Sequence, residues 1–378
     1  MTELPTADPM LADLTTLRVG GPAARLIEAR DTGELVAAAL EVWSDGDEWL
    51  ILGGGSNIVA ADEGFAGTVI RTANTGISDL PGDSGKVRLR VEAGEGWDNL
   101  VAVTVERGLA GMEALSGIPG SVGAAPIQNI GAYGQEAADT LVAVHFLDYL
   151  TGDEERIPAE DLALGYRTSI FKQGRQGVVT AVEFDLDQAD GVGAPVRYTQ
   201  LAAALGVELG SRAPLAAVRD AVLGLRRSKG MLLAADDPES VSAGSFFTNP
   251  MVTERFSRTL PEDAPRWPVR PEDGPVVVPL GEGAEVPIAQ PALVEQPQDE
   301  PSVKLSAAWL IERAGISRGF ALPGSRASVS RRHTLALVNR GGATAEEILE
   351  LARYIQAMVQ SEFGVLLRPE PLILGSSL

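Results

Sequence analysis

The 378-residue chain has no cysteine. That excludes a disulfide, a cysteine-ligated metal and a cysteine nucleophile, and it is compatible with a reducing compartment. Histidine is nearly absent, with two residues, and no spacing of His, Asp and Glu suggests a metal site, so no metal is expected. Basic residues are scarce: 31 Lys and Arg face 52 Asp and Glu, a net charge of -21. A broad nucleic-acid surface needs clustered cations to replace counterions, so nucleic acid is not an expected partner. The same scarcity of cations argues against an electrostatic membrane anchor. No run of about 18 apolar residues exists, so no membrane-spanning helix is expected. Residues 1–14 carry Glu3, Asp8 and Asp13 and no basic residue, unlike a signal peptide, which makes the cytoplasm the expected location. An acidic protein can still hold an anion locally, through convergent N–H groups and a few placed cations.

Glycine and proline are plentiful, with 42 and 24 residues. The length suggests two or three domains. Helices are expected at 34–43, with Leu35, Val36, Ala39 and Leu40 inward, and at 100–107, 215–225 and 306–314. Strands are expected at 49–52, 68–71, 87–92, 142–147, 178–186 and 335–339. Thr344 and Glu347 form a capping box opening a helix with inner face Ile348, Leu351, Ile355 and Val359, closed by Gly364. A last strand is expected across 365–374. Strands and helices alternate throughout, giving an α/β or α+β class. Residues 250–301 hold eleven of the 24 prolines among many acids, and read as an extended or disordered surface insertion.

Two glycine runs carry the candidate chemistry. Gly53-Gly54-Gly55-Ser56-Asn57 follows the 49–52 strand. It lacks the third glycine of a Rossmann fingerprint, since Ile58 stands there, and lacks the Gly-Lys-Ser/Thr of a Walker A loop. A phosphate-binding loop and a plain tight turn both remain open on spacing alone. The second run, 117–134, is dominated by small residues, poor for a helix and weak for a strand. It suits a backbone lying flat on a planar ligand, or a loop packed on itself.

These residues, with Leu17 to Ala23, resemble the FAD-binding half of the UDP-N-acetylenolpyruvoylglucosamine reductase (MurB) family. Gly165 to Lys172, Ala243 to Pro250, Lys304 to Ile311 and Leu367 to Pro371 resemble its remaining motifs, in family order, from about residue 14 to 374. Tyr166 and Tyr198 resemble the type I subclass, in which a tyrosine loop closes over the nucleotide. The resemblance implies an α+β protein: a two-lobed FAD-binding domain of the vanillyl-alcohol oxidase type (residues 1–72 and 73–222), then a C-terminal α/β substrate domain (223–378) with the insertion at about 252–302. It implies FAD as cofactor, NADPH as co-substrate and a UDP-sugar as substrate; a monomer is expected.

The family reaction reduces an enolpyruvyl ether on UDP-N-acetylglucosamine to UDP-N-acetylmuramate, in peptidoglycan precursor synthesis. By resemblance, Arg167 forks the substrate carboxylate, Glu370 shares a hydrogen bond with it and Ser245 gives the proton. FAD falls to Gly53, Gly54, Gly55, Ser56, Asn57, Gly117, Pro119, Gly120, Gly123, Ile127, Gln128, Asn129, Gly131, Ala132 and Tyr133. Substrate falls to Tyr166, Tyr198, Arg226, Lys229, Asn249 and His333. Arg226 and Lys229 also fit a charge pair at a helix C-terminus. Another FAD-linked oxidoreductase on this scaffold, or a non-catalytic nucleotide binder, are the competing readings.

Overall fold

In the computed structural model, residues 9–269 and 302–378 are described. Ala23–Ala29, Phe65–Thr72 and Trp49–Leu52 form a parallel three-stranded sheet in that order. The helix Thr32–Asp45 covers it. Asp31 caps the helix by accepting from the Glu34 N–H, and Gly46, at φ 72°, ends it. Its buried residues are Leu35, Ala38, Ala39 and Val42. The i, i+3, i+4 geometry therefore turns the expected face: Val36 is half-buried and Leu40 is exposed.

A second, antiparallel sheet runs Glu154–Pro158, Leu141–Asp148, Gly177–Gln188, Lys86–Glu92, Ile77–Leu80, with Leu109–Ala110 pairing to Gly177–Gln188. The helix Trp97–Glu106 seals it with Trp97, Leu100 and Val101, against Leu89, Val182 and Phe184. Each such side chain contributes about 1.5–3 kcal/mol when fully buried. Residues 117–134 hold only two short 3-10 turns and one edge of a two-residue hairpin, as glycine and proline dictate. The helices Thr199–Leu205 and Leu215–Ser228 pack together next to them.

The C-terminal part holds two antiparallel three-stranded sheets. One orders Ser242–Ser245, Ala336–Asn339 and Ala327–Val329; the other Met251–Thr253, Ser302–Leu305 and Arg266–Val269. Thr344 and Glu347 make the expected capping box for Ala345–Phe363, which buries Ile348, Leu351, Ile355 and Val359 and ends at Gly364, φ 68°.

Two expectations need correction. Residues 251–269 are folded, as two strands flanking the short helix Glu254–Ser257, because Ser302–Leu305 supplies a central partner for both strands. The rest of the expected insertion, 270–301, lies outside the described residues, as do residues 1–8 of the expected leaderless N-terminus. Within 365–374 only Leu372–Leu374 is a strand, since Pro369 and Pro371 have no N–H for a ladder. That strand pairs in parallel with Ile58–Ala60, so the chain end returns to the N-terminal half. Among the described residues no helix is long and apolar enough to cross a membrane.

Candidate active site

The two glycine runs face each other. A methyl group on Gly54 would sit 2.7 Å from Gly120 Cα, and one on Gly55, at φ 62°, would overlap the Leu14 carbonyl. Glycine is therefore required at both positions. Ser56 Oγ donates to the Pro119 carbonyl at 3.1 Å. Among the described residues, the N–H groups of Gly54, Gly55, Ser56 and Asn57 have no protein acceptor. The buried Ser121 hydroxyl, beside Gly53, has none either. Such a run of free donors is suited to phosphate oxygens. The donor set thus fits the diphosphate of a dinucleotide. Gly117 and Gly123 serve the walls: Gly117 N–H donates to Asp98 at 2.6 Å, and Gly123 N–H to the Ala93 carbonyl at 2.8 Å.

A polar chain leads from this loop to the far end of the sequence. Asn57 Nδ2 donates to Gln128 Oε1 at 3.1 Å and to the Glu370 carbonyl at 3.3 Å. Gln128 Nε2 donates to Glu370 Oε1 at 3.1 Å. Arg167 Nε lies 3.1 Å from the same oxygen but is not aligned as a hydrogen bond. Arg167 is held in the left-handed region, φ 55°, and Nη2 donates to the Gly131 carbonyl at 3.0 Å. Asn129, also left-handed, donates to Glu136 and to the Gly165 carbonyl, bracing that turn. Ser169 Oγ donates to the Ile127 carbonyl at 2.6 Å. Burial raises the Glu370 carboxyl above its ordinary pKa, against the opposing pull of Arg167, Lys172 and the Gln128 bond. It is thereby closer to being a proton-bearing acid than a surface glutamate.

Ser245 ends the strand Ser242–Ser245, opposite Ala336. The next residue, Phe246, accepts from the Glu370 N–H at 2.9 Å, and Phe247 bridges Pro369. The segments bearing Ser245 and Glu370 thus run side by side. No hydrogen bond joins Ser245 to Arg167 or Glu370.

A wall of tyrosines and cations completes the site. Tyr133 and Tyr198 meet edge to face at 5.6 Å, and Lys229 Nζ lies 5.4 Å over the Tyr133 ring. Arg226 is buried, with Nε donating to the Gly117 carbonyl at 3.0 Å. Burial, then Lys229, Arg318 and Arg226, depress His333 to about 4. Asn249 Oδ1 accepts from the Ala307 N–H at 3.0 Å. Ala132 pairs with Gln135 in the hairpin that supports Tyr133. Three neighbours were not singled out from the sequence. Lys172 stands close enough to Glu370 for their charges to interact, Lys304 Nζ lies 5.0 Å over Tyr166, and Glu136 bonds Asn129. Lys172 and Lys304 lie inside the quoted motifs, but a motif does not say where its lysine points.

Residues 23–157 match the family described as FAD binding domain. That match, with the free donors of the glycine loop, defines the class: a flavin-dinucleotide-binding protein. Residues 237–374 match the family described as UDP-N-acetylenolpyruvoylglucosamine reductase, C-terminal domain. The chain is 55% identical to the UDP-N-acetylenolpyruvoylglucosamine reductase of Leifsonia xyli subsp. xyli, covering 99% of this chain and 100% of that one. It is 47% identical to the same reductase of Thermobifida fusca, covering 97% of each. The crystal structure of the reductase (MurB) from Thermus caldophilus superposes with a TM-score of 0.61 at 27% identity, over 97% of this chain and 98% of that one. The chain belongs to the UDP-N-acetylenolpyruvoylglucosamine reductase family, and it is an FAD-dependent oxidoreductase of peptidoglycan precursor synthesis.

Proposed function

We propose that Arg167, Glu370 and Ser245 carry the substrate half of the reaction, the NADPH-dependent reduction of UDP-N-acetylglucosamine enolpyruvate to UDP-N-acetylmuramate. FAD, when bound, supplies the hydride relay between NADPH and the terminal carbon of the enolpyruvyl double bond. The N–H groups of residues 54–57 and the Ser121 hydroxyl would hold its diphosphate. Arg167 offers its fork to the substrate carboxylate, where negative charge grows as the double bond is reduced. Glu370, kept closer to protonation by burial, shares a hydrogen bond with that growing charge. Ser245 gives the proton to the neighbouring carbon, since a carbanion-like centre is basic enough to accept from a hydroxyl. Arg226, Lys229, Tyr198, Asn249, Tyr166 and His333 line the place for the UDP part.

The observation that carries this reading is the unbroken chain Asn57–Gln128–Glu370–Arg167. It ties the glycine loop to the Glu370 carboxyl and the Arg167 guanidinium. The change from a parallel to an antiparallel sheet after residue 72 favours a boundary near 72/73, and the new sheets beyond the Leu215–Ser228 helix favour a second boundary after that helix, since 222/223 falls inside it. We take the enzyme to act as a cytoplasmic monomer, where NADPH and UDP-sugars are found.

The test is an anaerobic visible spectrum of the purified protein, before and after NADPH and then the enolpyruvyl UDP-sugar. Flavin bands that bleach with NADPH and return with the sugar are expected. Bands that bleach and do not return would remove the substrate assignment. Absence of flavin bands after added FAD would remove the cofactor assignment.

A further inference from the structure

Most cations around the site are already engaged. Arg226 bonds the Gly117 and Met231 carbonyls, Lys229 bonds Gln200 at 2.8 Å, Arg318 faces Glu312 at 3.5 Å and Lys304 lies over Tyr166. Beside them opens a cleft of about 780 Å³ with four arginines in its lining. One, Arg332, is tied to Asp237 at 2.5 Å. Among the described residues, the side chains of Arg227, Arg331 and Arg340 have no carboxylate partner and no hydrogen bond, and all three are exposed.

The carboxylates of the cleft are largely spoken for. Asp237 takes Arg332 and the Glu239 N–H. Glu239 is buried and accepts from Ser330 Oγ and the Arg331 N–H, each at 2.7 Å. Only Asp236 remains, exposed at the rim.

Two of these arginines stand next to candidate-site residues along the chain. Arg227 follows Arg226 on the Leu215–Ser228 helix, and Arg331 lies two residues before His333. The turn carrying Arg331 is pinned by Ser330 N–H donating to the Ala336 carbonyl at 2.8 Å, and Ala336 is the strand partner of Ser245.

NADPH differs from NADH by one ribose phosphate, close to a dianion at neutral pH. A chain of net charge -21 repels such a group except where guanidinium groups stand free. Arg forks match phosphate oxygens in pairs, which a lysine cannot do. We propose that the cleft takes the 2′-phosphate of NADPH, with Arg227 and Arg331 as its forks and Arg340 as a supporting charge. This rests on the reading of the neighbouring site as an NADPH-fed reductase.

The experiment uses the full chain with FAD bound. Flavin reduction by NADPH and by NADH is followed anaerobically in the wild type, Arg227→Ala, Arg331→Ala and the double variant. The NADPH-over-NADH preference should fall about tenfold or more for each guanidinium removed, since a charged hydrogen bond contributes at least about one decade in affinity. Competition by adenosine 2′,5′-bisphosphate should weaken in parallel, and competition by adenosine 5′-monophosphate should not. Reoxidation by the enolpyruvyl sugar, read in the same samples, reports whether each variant still holds a working site. An unchanged preference in the double variant, whether both rates hold or both fall together, overturns the cleft assignment and leaves the reductase standing. A wild type that NADPH does not reduce overturns the reading of the site, and this proposal with it.

Discussion

Replacing Glu370 by Gln separates shape from charge at the centre of the site. Glutamine fits the same space, and its amide oxygen can still accept from Gln128 Nε2, now 3.1 Å from the carboxylate. What is lost is an acidic proton and a negative charge facing Arg167 at 3.1 Å and Lys172. A positioned general acid or charge-sharing group contributes about 10²- to 10⁴-fold in rate, or roughly 3–5 kcal/mol of barrier at 1.36 kcal/mol per decade. Flavin reoxidation by the enolpyruvyl sugar should slow by that factor, while reduction by NADPH should stay near wild type. The two freed cations should bind the substrate carboxylate more tightly, so the apparent KM for the sugar should fall. The pH profile adds a second check. Burial raises the Glu370 pKa, so the wild type should lose reoxidation rate as pH rises through that value, and E370Q should lack this limb. Anaerobic stopped-flow of each half-reaction measures all of this. An unchanged reoxidation rate would refute the role. An equal slowing of both half-reactions would point to a structural role instead.

Other expectations follow from single residues. Ser245→Ala should leave reduction by NADPH nearly intact and slow reoxidation by several decades; normal rates in both half-reactions would show that Ser245 is not the donor. Gly55→Ala places a methyl group on the Leu14 carbonyl at φ 62°, and should yield protein that retains no flavin after gel filtration. Asn339→Ala should lower the thermal midpoint, at a cost of roughly 3 kcal/mol or more, because buried Asn339 serves the Leu17 and Arg18 carbonyls and the Gly341 and Ala343 N–H groups. His333 is a base with a folded pKa near 4 against 6.5 unfolded, so below about 6.5 the unfolded chain binds a proton that the folded chain refuses. Stability should therefore fall between pH 6.5 and 4, and His333→Gln should remove that component of the slope in urea melts at stepped pH.

Local signals were legible where the physics is local. The capping box at Thr344 and the stop at Gly364 each involve groups within four residues, and both appear as expected. The glycine runs were legible as loops for the same reason. The pairings that assemble the site were not. Proline and acid content argued against order at 251–269, yet the Ser302–Leu305 strand arrives from far along the chain to pair with both flanking strands. Nothing near Arg167 signals its left-handed backbone, which the Asn129 and Gly131 carbonyls and Glu370 fix together. Asn339 reads as the polar end of a strand, and only the fold reveals that it joins the C-terminal sheet to the Leu17–Arg18 turn.

One ladder positions both the glycine loop and Glu370. The Leu372 N–H donates to the Asn57 carbonyl at 2.9 Å, where the strand Leu372–Leu374 begins its pairing with Ile58–Ala60. Asn57 closes the glycine loop on one side of that bond, and Glu370 stands two residues before it on the other. Pro369 and Pro371 flank Glu370 with fixed φ, so the carboxyl inherits its position from the ladder with little freedom left. The Asn57 side chain closes the circuit through Gln128 and the Glu370 carbonyl. A displacement of the glycine loop therefore moves the Glu370 carboxyl as well. On the proposed roles, registration between the flavin loop and Glu370 is built into one strand pair, in addition to the side-chain bonds.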